Sequence, residues 1–487
     1  MIDYIKSDNL NCEYLVIGSG AGGSAACKYL TDMGKDVLLI EEGQDYKVNE
    51  FGGSISKSFL YAWRNAGITP ILSKSSYGFG EGKCLGGGTY INGGLIWRTP
   101  KIVLDNWNQK LKTNKFHIDN LKKYFDEIEK NLDLNLKNDN NISENKESEK
   151  LAEIGKKYKI KVEDVPRSIN STDKTNNLIL GAPGETKNSI LQRYIYKSKE
   201  NGLKILTNCK ATKLIIKNDR IETVEAIIDN KEIYINPNKV ILACGATQTP
   251  MIIKNSFGNK FLKSEMAVHL NLRIGVRFKD NMQTVKGKMF TKQIQEYLND
   301  GVLIMPTSFN KNSFFSGLAK MDNNSLSEIE KNIDNYANFV IQFQSENKVN
   351  LNRFNKTLIP TYDLSLKDLQ KIKKYFIIFC NALFGTGAEE IILPLKKNYI
   401  ISKKSNLEKL IDINFTPRNL EMISVHGMSS AKMGIKRSHK EIFGIDGKSF
   451  DFKNMYCVDS SILPTSTIES PQATIMAVSN QILEELI

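Results

Sequence analysis

The sequence predicts a mixed α/β and α+β protein: a discontinuous Rossmann-like domain with a second domain interleaved in it and built on an antiparallel sheet. Three observations carry this expectation. A glycine turn joins two short apolar runs near the N-terminus. Further glycine-bearing segments follow near residues 86 and 245, each beside apolar sequence. A strand, a loop and a helix close the chain around residue 459.

The first run, Tyr14-Leu15-Val16-Ile17, leads into Gly18-Ser19-Gly20-Ala21-Gly22-Gly23. Residues 24–33 then read as a helix with Ala25, Ala26 and Leu30 on one side, and 37–40 form a second apolar run that ends at Glu41. Strand, glycine turn, helix and strand make a βαβ unit. In this context Gly18 permits the tight turn, Gly20 lets backbone approach a pyrophosphate, and Gly23 lets helix and strand pack closely. The pyrophosphate belongs on the helix N-terminus, where free N–H groups and the helix dipole favour an anion. Glu41, 21 residues beyond Gly20, is placed to accept hydrogen bonds from a ribose. An acid there disfavours a ribose 2′-phosphate, so FAD or NAD is expected rather than NADP.

Further along, 78–94 is too glycine-rich for a regular element. Residues 118–132 carry Ile118, Leu121, Phe125, Ile128 and Leu132 at three- and four-residue steps, an amphipathic helix. Residues 137–150 are polar and read as an exposed loop. Residues 205–235 suggest a meander turned by Asn-Asp and Asp-Asn, and 240–245 a separate buried strand ending in glycine. Strands are expected at 267–278, 301–306 and 337–344, a helix at 364–384, then a strand at 455–459 and a helix at 471–486. No repeat of fixed period is visible.

Composition narrows the partners. At 487 residues the prior is about three domains. With 41% hydrophobic and 25% charged residues the chain is neither disordered nor a disulfide-stapled miniprotein. Lys+Arg minus Asp+Glu is 67 − 54 = +13, but the lysines are interleaved with Asn and Ile and form no stripe, so a solvated surface is expected and no nucleic-acid partner. Seven scattered cysteines without a CxxC pair, and four histidines, argue against a disulfide framework or a metal site. No secretory signal and no apolar run of membrane-spanning length are visible, so a cytoplasmic location without a transmembrane segment is expected.

The second glycine stretch, Lys83-Cys84-Leu85-Gly86-Gly87-Gly88-Thr89-Tyr90-Ile91-Asn92-Gly93-Gly94, resembles the first signature of the glucose–methanol–choline (GMC) oxidoreductases. Val240-Ile241-Leu242-Ala243-Cys244-Gly245-Ala246-Thr247-Gln248-Thr249-Pro250 is similar to their second signature, and Tyr456-Cys457-Val458-Asp459-Ser460-Ser461-Ile462-Leu463-Pro464 to their flavin-contacting tail. The likeness covers nearly the whole chain and is nearest to the branch of bacterial choline dehydrogenase-like proteins and long-chain alcohol oxidases. It implies an FAD-binding domain from residues 1–100, 190–265 and 415–487, and a substrate-covering domain from 101–189 and 266–414. Gly86, Gly87, Gly88, Asn92 and Gly93 would run beside the flavin ring, and Ala211, Gly245, Asp459 and Pro471 complete the implied cofactor set. Some members attach the flavin through a histidine just before the asparagine. Ile91 stands there, which implies non-covalent FAD.

His426-Gly427-Met428-Ser429-Ser430-Ala431-Lys432-Met433-Gly434 resembles the segment that opens on the family's catalytic histidine. The implied chemistry passes a hydride from a CH–OH carbon to flavin N5 and the hydroxyl proton to His426, giving an aldehyde or ketone; imidazole suits that base role. Where the family places a second His or Asn against the substrate oxygen, Ser470 stands here, and Ser429 replaces the usual Gly. Ser470 before Pro471 also fits a helix cap. Gln472 and Asn381 are candidates to compensate for it, and His117, His269 and His439 are expected to be structural. Lys254, Lys260, Lys263, Lys286 and Lys288, expected on loops, would suit an alcohol that is a polyol, a sugar or an anion. The electron acceptor is a quinone, a carrier protein or oxygen, with a dehydrogenase favoured over an oxidase. The alternatives are a lyase-like flavoprotein without redox turnover and a flavin-binding protein that has lost turnover.

Overall fold

Among the described residues two large β-sheets and a small two-stranded one share the chain, and successive segments alternate between the two large sheets. The computed structural model describes residues 9–46, 50–51, 54–134, 145–169, 187–284, 289–307, 311–316, 318, 321–355, 357–396, 400–402, 412–413 and 415–487.

The first sheet runs Lys204–Leu206, Val37–Ile40, Asn9–Ile17, Lys231–Leu242, Arg220–Ile228 and Cys209–Lys217, and Met455–Cys457 pairs with the end of Lys231–Leu242. Asn9–Ile17 is parallel to both of its neighbours, and every residue of Val37–Ile40 is buried, as expected of a parallel sheet covered on both faces. Helix Ala21–Asp32 follows the glycine turn and makes the crossover. The expected meander is present. Its turns put Asn218 (φ 50°), Asp219 (φ 59°), Asp229 (φ 49°) and Asn230 (φ 65°) in the left-handed region, the geometry of two-residue hairpins, which Asn and Asp tolerate. One expectation is corrected: 240–245 is no separate strand. Lys231–Leu242 is continuous, antiparallel to Arg220–Ile228 through its first half and parallel to Asn9–Ile17 along its length.

The second sheet is organised around the strand Glu265–Phe278, antiparallel to Tyr336–Gln344 and to Ala388–Ile392. Val302–Pro306 extends it beyond Tyr336–Gln344. Its residues alternate. Val268, Leu270, Leu272, Ile274 and Val276 enter a core with Phe376 and Phe379 of helix Leu366–Gly385, whose start is capped by Ser365. His269, Asn271 and Arg273 therefore share the opposite face.

Three further readings change. The stretch 78–94 is not wholly irregular: Ser76–Phe79 is a strand parallel to Glu421–Ser424. Of 137–150, residues 137–144 lie outside the described residues, and Lys146 begins helix Lys146–Tyr158 because Asn145 caps it by accepting from the Ser148 N–H at 3.0 Å. Lys254 is on helix Gly245–Phe257, not a loop; it is buried and donates to the Leu351 carbonyl at 2.6 Å. Lys286 and Lys288 lie outside the described residues. Among the described residues no helix is long and apolar enough to cross a membrane.

The turn leaves no room at Gly23, where an added Cβ would lie 2.0 Å from the Gly18 carbonyl oxygen. Gly23→Ala should therefore destabilise the protein by about 1–3 kcal/mol, read as a lower midpoint in thermal unfolding; an unchanged midpoint would refute this account of the close packing.

Candidate active site

A cavity of about 450 Å³ lies between the two sheets. On the first sheet's side its wall is the turn after Asn9–Ile17. Gly18 has φ 100° and no space for a side chain, since a Cβ would sit 2.4 Å from the Ala243 oxygen. Gly20 starts helix Ala21–Asp32, and the first-turn N–H groups open toward the cavity with Gly20, Ala21 and Gly22 lining it. The carboxylate of Glu41 accepts from the Ser19 N–H (3.0 Å), the Ser19 hydroxyl (2.7 Å) and the Gly43 N–H (2.9 Å). A carboxylate has about four lone-pair sites, so one stays available to a ribose hydroxyl. Burial pushes the Glu41 pKa up, against the pull of these donors.

The second glycine stretch crosses beside the first. Gly86 has φ 91° and donates its N–H to the Ser19 hydroxyl oxygen at 2.9 Å. Lys187, which no motif marks, holds this stretch from behind. Its ammonium group donates to the carbonyls of Thr89 (2.7 Å) and Asn92 (2.9 Å) and to the Asn92 side-chain oxygen (2.6 Å). Burial pulls its pKa down to about 7, against the nearby Cys84, which pulls it up. Asn92 also donates to Gln472, at the start of the C-terminal helix, and accepts from the Gly94 N–H.

Asp459 joins the ends of two elements. Its carboxylate accepts from the Gly245 N–H (2.9 Å), the Thr249 hydroxyl (2.5 Å) and the Ser461 N–H (2.7 Å). Of the expected cofactor set, Gly18, Gly20, Glu41, Gly87 and Gly88 line the cavity, as do Asn92, Gly93, Ala211, Gly245, Asp459 and Pro471. Gly23 and Gly86 stand behind the wall and shape it. A Cβ added at Gly20, Gly88 or Gly245 meets no protein atom within 4 Å, so these glycines keep space free for a ligand rather than for protein. Bare backbone, helix N–H groups and a carboxylate with a spare lone pair fit a dinucleotide.

His426 lines the same cavity. Contrary to the expectation of a purely structural role elsewhere, His269 is its partner: the two Nδ1 atoms are 3.0 Å apart and the rings are perpendicular. The other nitrogen of His269, Nε2, lies 2.5 Å from the Thr467 carbonyl oxygen. Burial pulls His426 down to about 3 and His269 to about 4, so both rings are neutral at pH 7. A carbonyl can only accept, so His269 donates from Nε2 and carries its lone pair on Nδ1. His426 then donates from Nδ1, and its Nε2 keeps a lone pair. His117, paired with Asp119 at the surface, and His439 lie away from the cavity.

Ser470 lines the cavity but caps nothing: helix Gln472–Leu486 begins two residues later with Pro471 at the cap position and no side-chain cap bond. Its position is set by the second sheet instead. Gln344 donates to Ser466, His269 to Thr467, Gln342 to the Ile468 carbonyl (2.8 Å), and Gln293 and Gln295 to the buried Glu469 carboxylate. Ser429 takes φ 64°, a left-handed conformation that glycine adopts more readily, and its hydroxyl is buried without a hydrogen-bond partner among the described residues. Of the candidates to compensate for Ser470, Gln472 lines the cavity; Asn381, on helix Leu366–Gly385, does not.

Two family models described as GMC oxidoreductase match the chain, one over residues 12–282 and one over residues 344–479. The chain belongs to the GMC oxidoreductase family. It is 22% identical to the GMC-type oxidoreductase y4nJ of Sinorhizobium fredii, over 98% of this chain and 94% of that protein. It is also 22% identical to the long-chain-alcohol oxidase FAO4A of Arabidopsis thaliana, over 96% of this chain and 68% of the relative. Among solved structures, pyridoxine 4-oxidase from Mesorbium loti superposes with a TM-score of 0.72 at 12% identity, covering 98% of this chain and 99% of the other. An FAD-dependent oxidoreductase from Chaetomium thermophilum gives 0.71 at 14%, covering 98% and 99%. The fold of this GMC oxidoreductase is thus an FAD-binding Rossmann-like domain with a substrate domain, and its cofactor is FAD.

Lys187→Met removes the donor from several buried oxygens, each costly to leave unpaired, and should destabilise the holoprotein by at least about 2 kcal/mol. The measurement is thermal unfolding together with the FAD-to-protein ratio after gel filtration. Wild-type stability and full flavin content would show that the lysine does not hold the loop.

Proposed function

We propose that this protein oxidises an alcohol, taking a CH–OH group to an aldehyde or ketone, with His426 as the proton acceptor. The observation that carries this reading is the hydrogen-bonded chain from Thr467 through His269 to His426, which leaves the Nε2 lone pair of a neutral imidazole at the cavity. When bound non-covalently, FAD supplies the hydride acceptor at its N5. His426 holds the substrate hydroxyl as a hydrogen-bond donor and takes its proton as the C–H bond breaks. Ser470, whose hydroxyl has no protein partner among the described residues, gives the substrate oxygen a second hydrogen bond and stands where the family has a His or Asn. His269 touches neither substrate nor cofactor; it is a positioning residue that fixes the tautomer of His426. Relatives named as alcohol oxidases support the substrate class.

The test is anaerobic addition of a panel of alcohols to the purified holoprotein. Bleaching of the flavin's visible absorbance is expected with at least one alcohol, and its loss in His426→Ala. Reduction by dithionite but by no alcohol would sink the redox reading in favour of a lyase-like flavoprotein. With the reactive alcohol, turnover with a quinone or dye acceptor is expected to exceed oxygen uptake, as befits a dehydrogenase.

His269→Leu should lower kcat/KM about tenfold to a hundredfold, and His269→Gln should recover part of it, because the amide oxygen can accept from His426 Nδ1–H while its NH₂ donates to Thr467. Equal losses in both variants would count against the tautomer argument.

Burial sets the pH dependence. Both histidines have folded pKa values below their unfolded ones, so the unfolded chain binds protons first as pH falls. Their stabilising contribution is complete above about pH 6.5 and is lost as pH falls toward the folded values of about 4 and 3. The acid limb of kcat/KM should accordingly lie below about pH 5; a limb near the ordinary histidine value would contradict a buried, neutral pair.

A further inference from the structure

The second sheet presents an arginine to the cavity with no anion to meet it. Arg273 is on strand Glu265–Phe278, on the face shared with His269 and Asn271, and its side chain is exposed where the strand lines the cavity. Its strand neighbours across the sheet are apolar: Val340, and beyond it Met305. Arg273 makes no side-chain hydrogen bond or ion pair among the described residues. The other arginines with structural roles differ: Arg64 meets Glu42 and Glu81, Arg98 meets Asp126 and Glu129, Arg277 meets Glu389 and Glu390, and Arg437 meets Asp451. The protein around the cavity partly desolvates Arg273 and lowers its pKa, and no carboxylate among the described residues acts to raise it. A guanidinium stays charged in a protein, so its donors face the cavity with no protein acceptor among the described residues and are free for a ligand.

The cavity's own carboxylates do not answer it. Glu41 and Asp459 are held by backbone and hydroxyl donors on the first sheet's side, and Glu42 and Glu81 are paired with Arg64. The FAD pyrophosphate belongs at the glycine turn on that same side, whereas Arg273 is on the opposite wall. The amide side chains of Asn271 and Asn338, which also line the cavity here, have no hydrogen-bond partner among the described residues. Arg273 is four positions along the strand from His269, about 13 Å of rise.

We propose that Arg273, with Asn271 and Asn338, binds an anionic group on the substrate, so that the alcohol oxidised at His426 carries a carboxylate or a phosphate at its far end. Both anions match the two-pronged donor face of a guanidinium. The substrate class rests on the alcohol-oxidation reading; the anion site does not.

Two measurements on FAD-loaded protein separate the two ideas. In the first, calorimetric titration compares hexanoate, hexyl phosphate and uncharged hexanamide, none of which has an alcohol to oxidise. At least one anion should bind tenfold or more tighter than hexanamide, the tighter of the two naming the anion. Arg273→Gln should abolish that preference and Arg273→Lys should retain part of it, with flavin content and melting temperature confirming that the variants fold. Equal binding of all three ligands, or an unchanged preference in Arg273→Gln, overturns the proposal. In the second, flavin reduction compares 6-hydroxyhexanoate and 6-hydroxyhexyl phosphate with 1-hexanol. The kcat/KM ratio of the favoured anionic alcohol over 1-hexanol should fall at least tenfold in Arg273→Gln. Anion binding without reduction by any alcohol would leave the Arg273 site standing and remove the alcohol reading. Reduction by 1-hexanol with no anion preference would do the reverse.

Discussion

The carboxylate of Glu41 accepts from the backbone of Ser19 and of Gly43, and through the Ser19 hydroxyl it reaches the N–H of Gly86. Three stretches of the sequence are thereby tied to one buried group, two directly and the third through the Ser19 hydroxyl. The fit around it is close: a Cβ at Gly43 would fall 2.4 Å from backbone atoms of Cys84, and one at Gly87 would fall 3.1 Å from the Cα of Gly20. Such approaches are possible because the glycines have no side chains and because the carboxylate satisfies N–H groups that burial would otherwise leave unpaired. The position of the glycine loops, and hence of one whole wall of the cavity, depends on this arrangement.

The opposite wall is fixed by different means. A row of side chains from the second sheet, His269, Gln342 and Gln344 with Gln293 and Gln295, grips the segment just before the C-terminal helix. That segment carries Ser470, and His269 carries the orientation of His426. The two side chains proposed to react, His426 and Ser470, thus both take their positions from polar contacts of the second sheet.

Much of the cofactor wall was legible in the chain because its chemistry is local. Gly18, Gly20 and Gly23 have fixed spacing, Glu41 ends the next strand, and alternation or helical spacing marked 118–132, 267–278 and 337–344 within a few residues of the elements found. What escaped was non-local. His269 and Arg273 looked unremarkable in isolation, although the alternation of His269-Leu270-Asn271-Leu272-Arg273-Ile274 already placed three polar residues on one face of a strand whose other face is apolar. Nothing local announces that Lys187 meets the carbonyls of Thr89 and Asn92, or that the loop after Thr467 is pinned by glutamines from another sheet. Ser470 before Pro471 looked like a cap because that pair usually is one, and tertiary contacts moved the helix start past it.

The last strand, Met455–Cys457, lies against Lys231–Leu242 in the sheet that begins at Asn9, and the Ser479 hydroxyl donates to the Gly22 carbonyl oxygen at 3.1 Å. A Cβ at Gly22 would in turn lie 2.1 Å from the Val458 oxygen. During synthesis the βαβ unit of residues 9–40 must then wait for residues 455–479 before its cofactor loop has its native surroundings. Contacts of such long sequence separation slow folding and leave partly built sheet exposed in the interval. The glycine turn of residues 18–23 thus reaches its finished form only once residues 455–479 have left the ribosome.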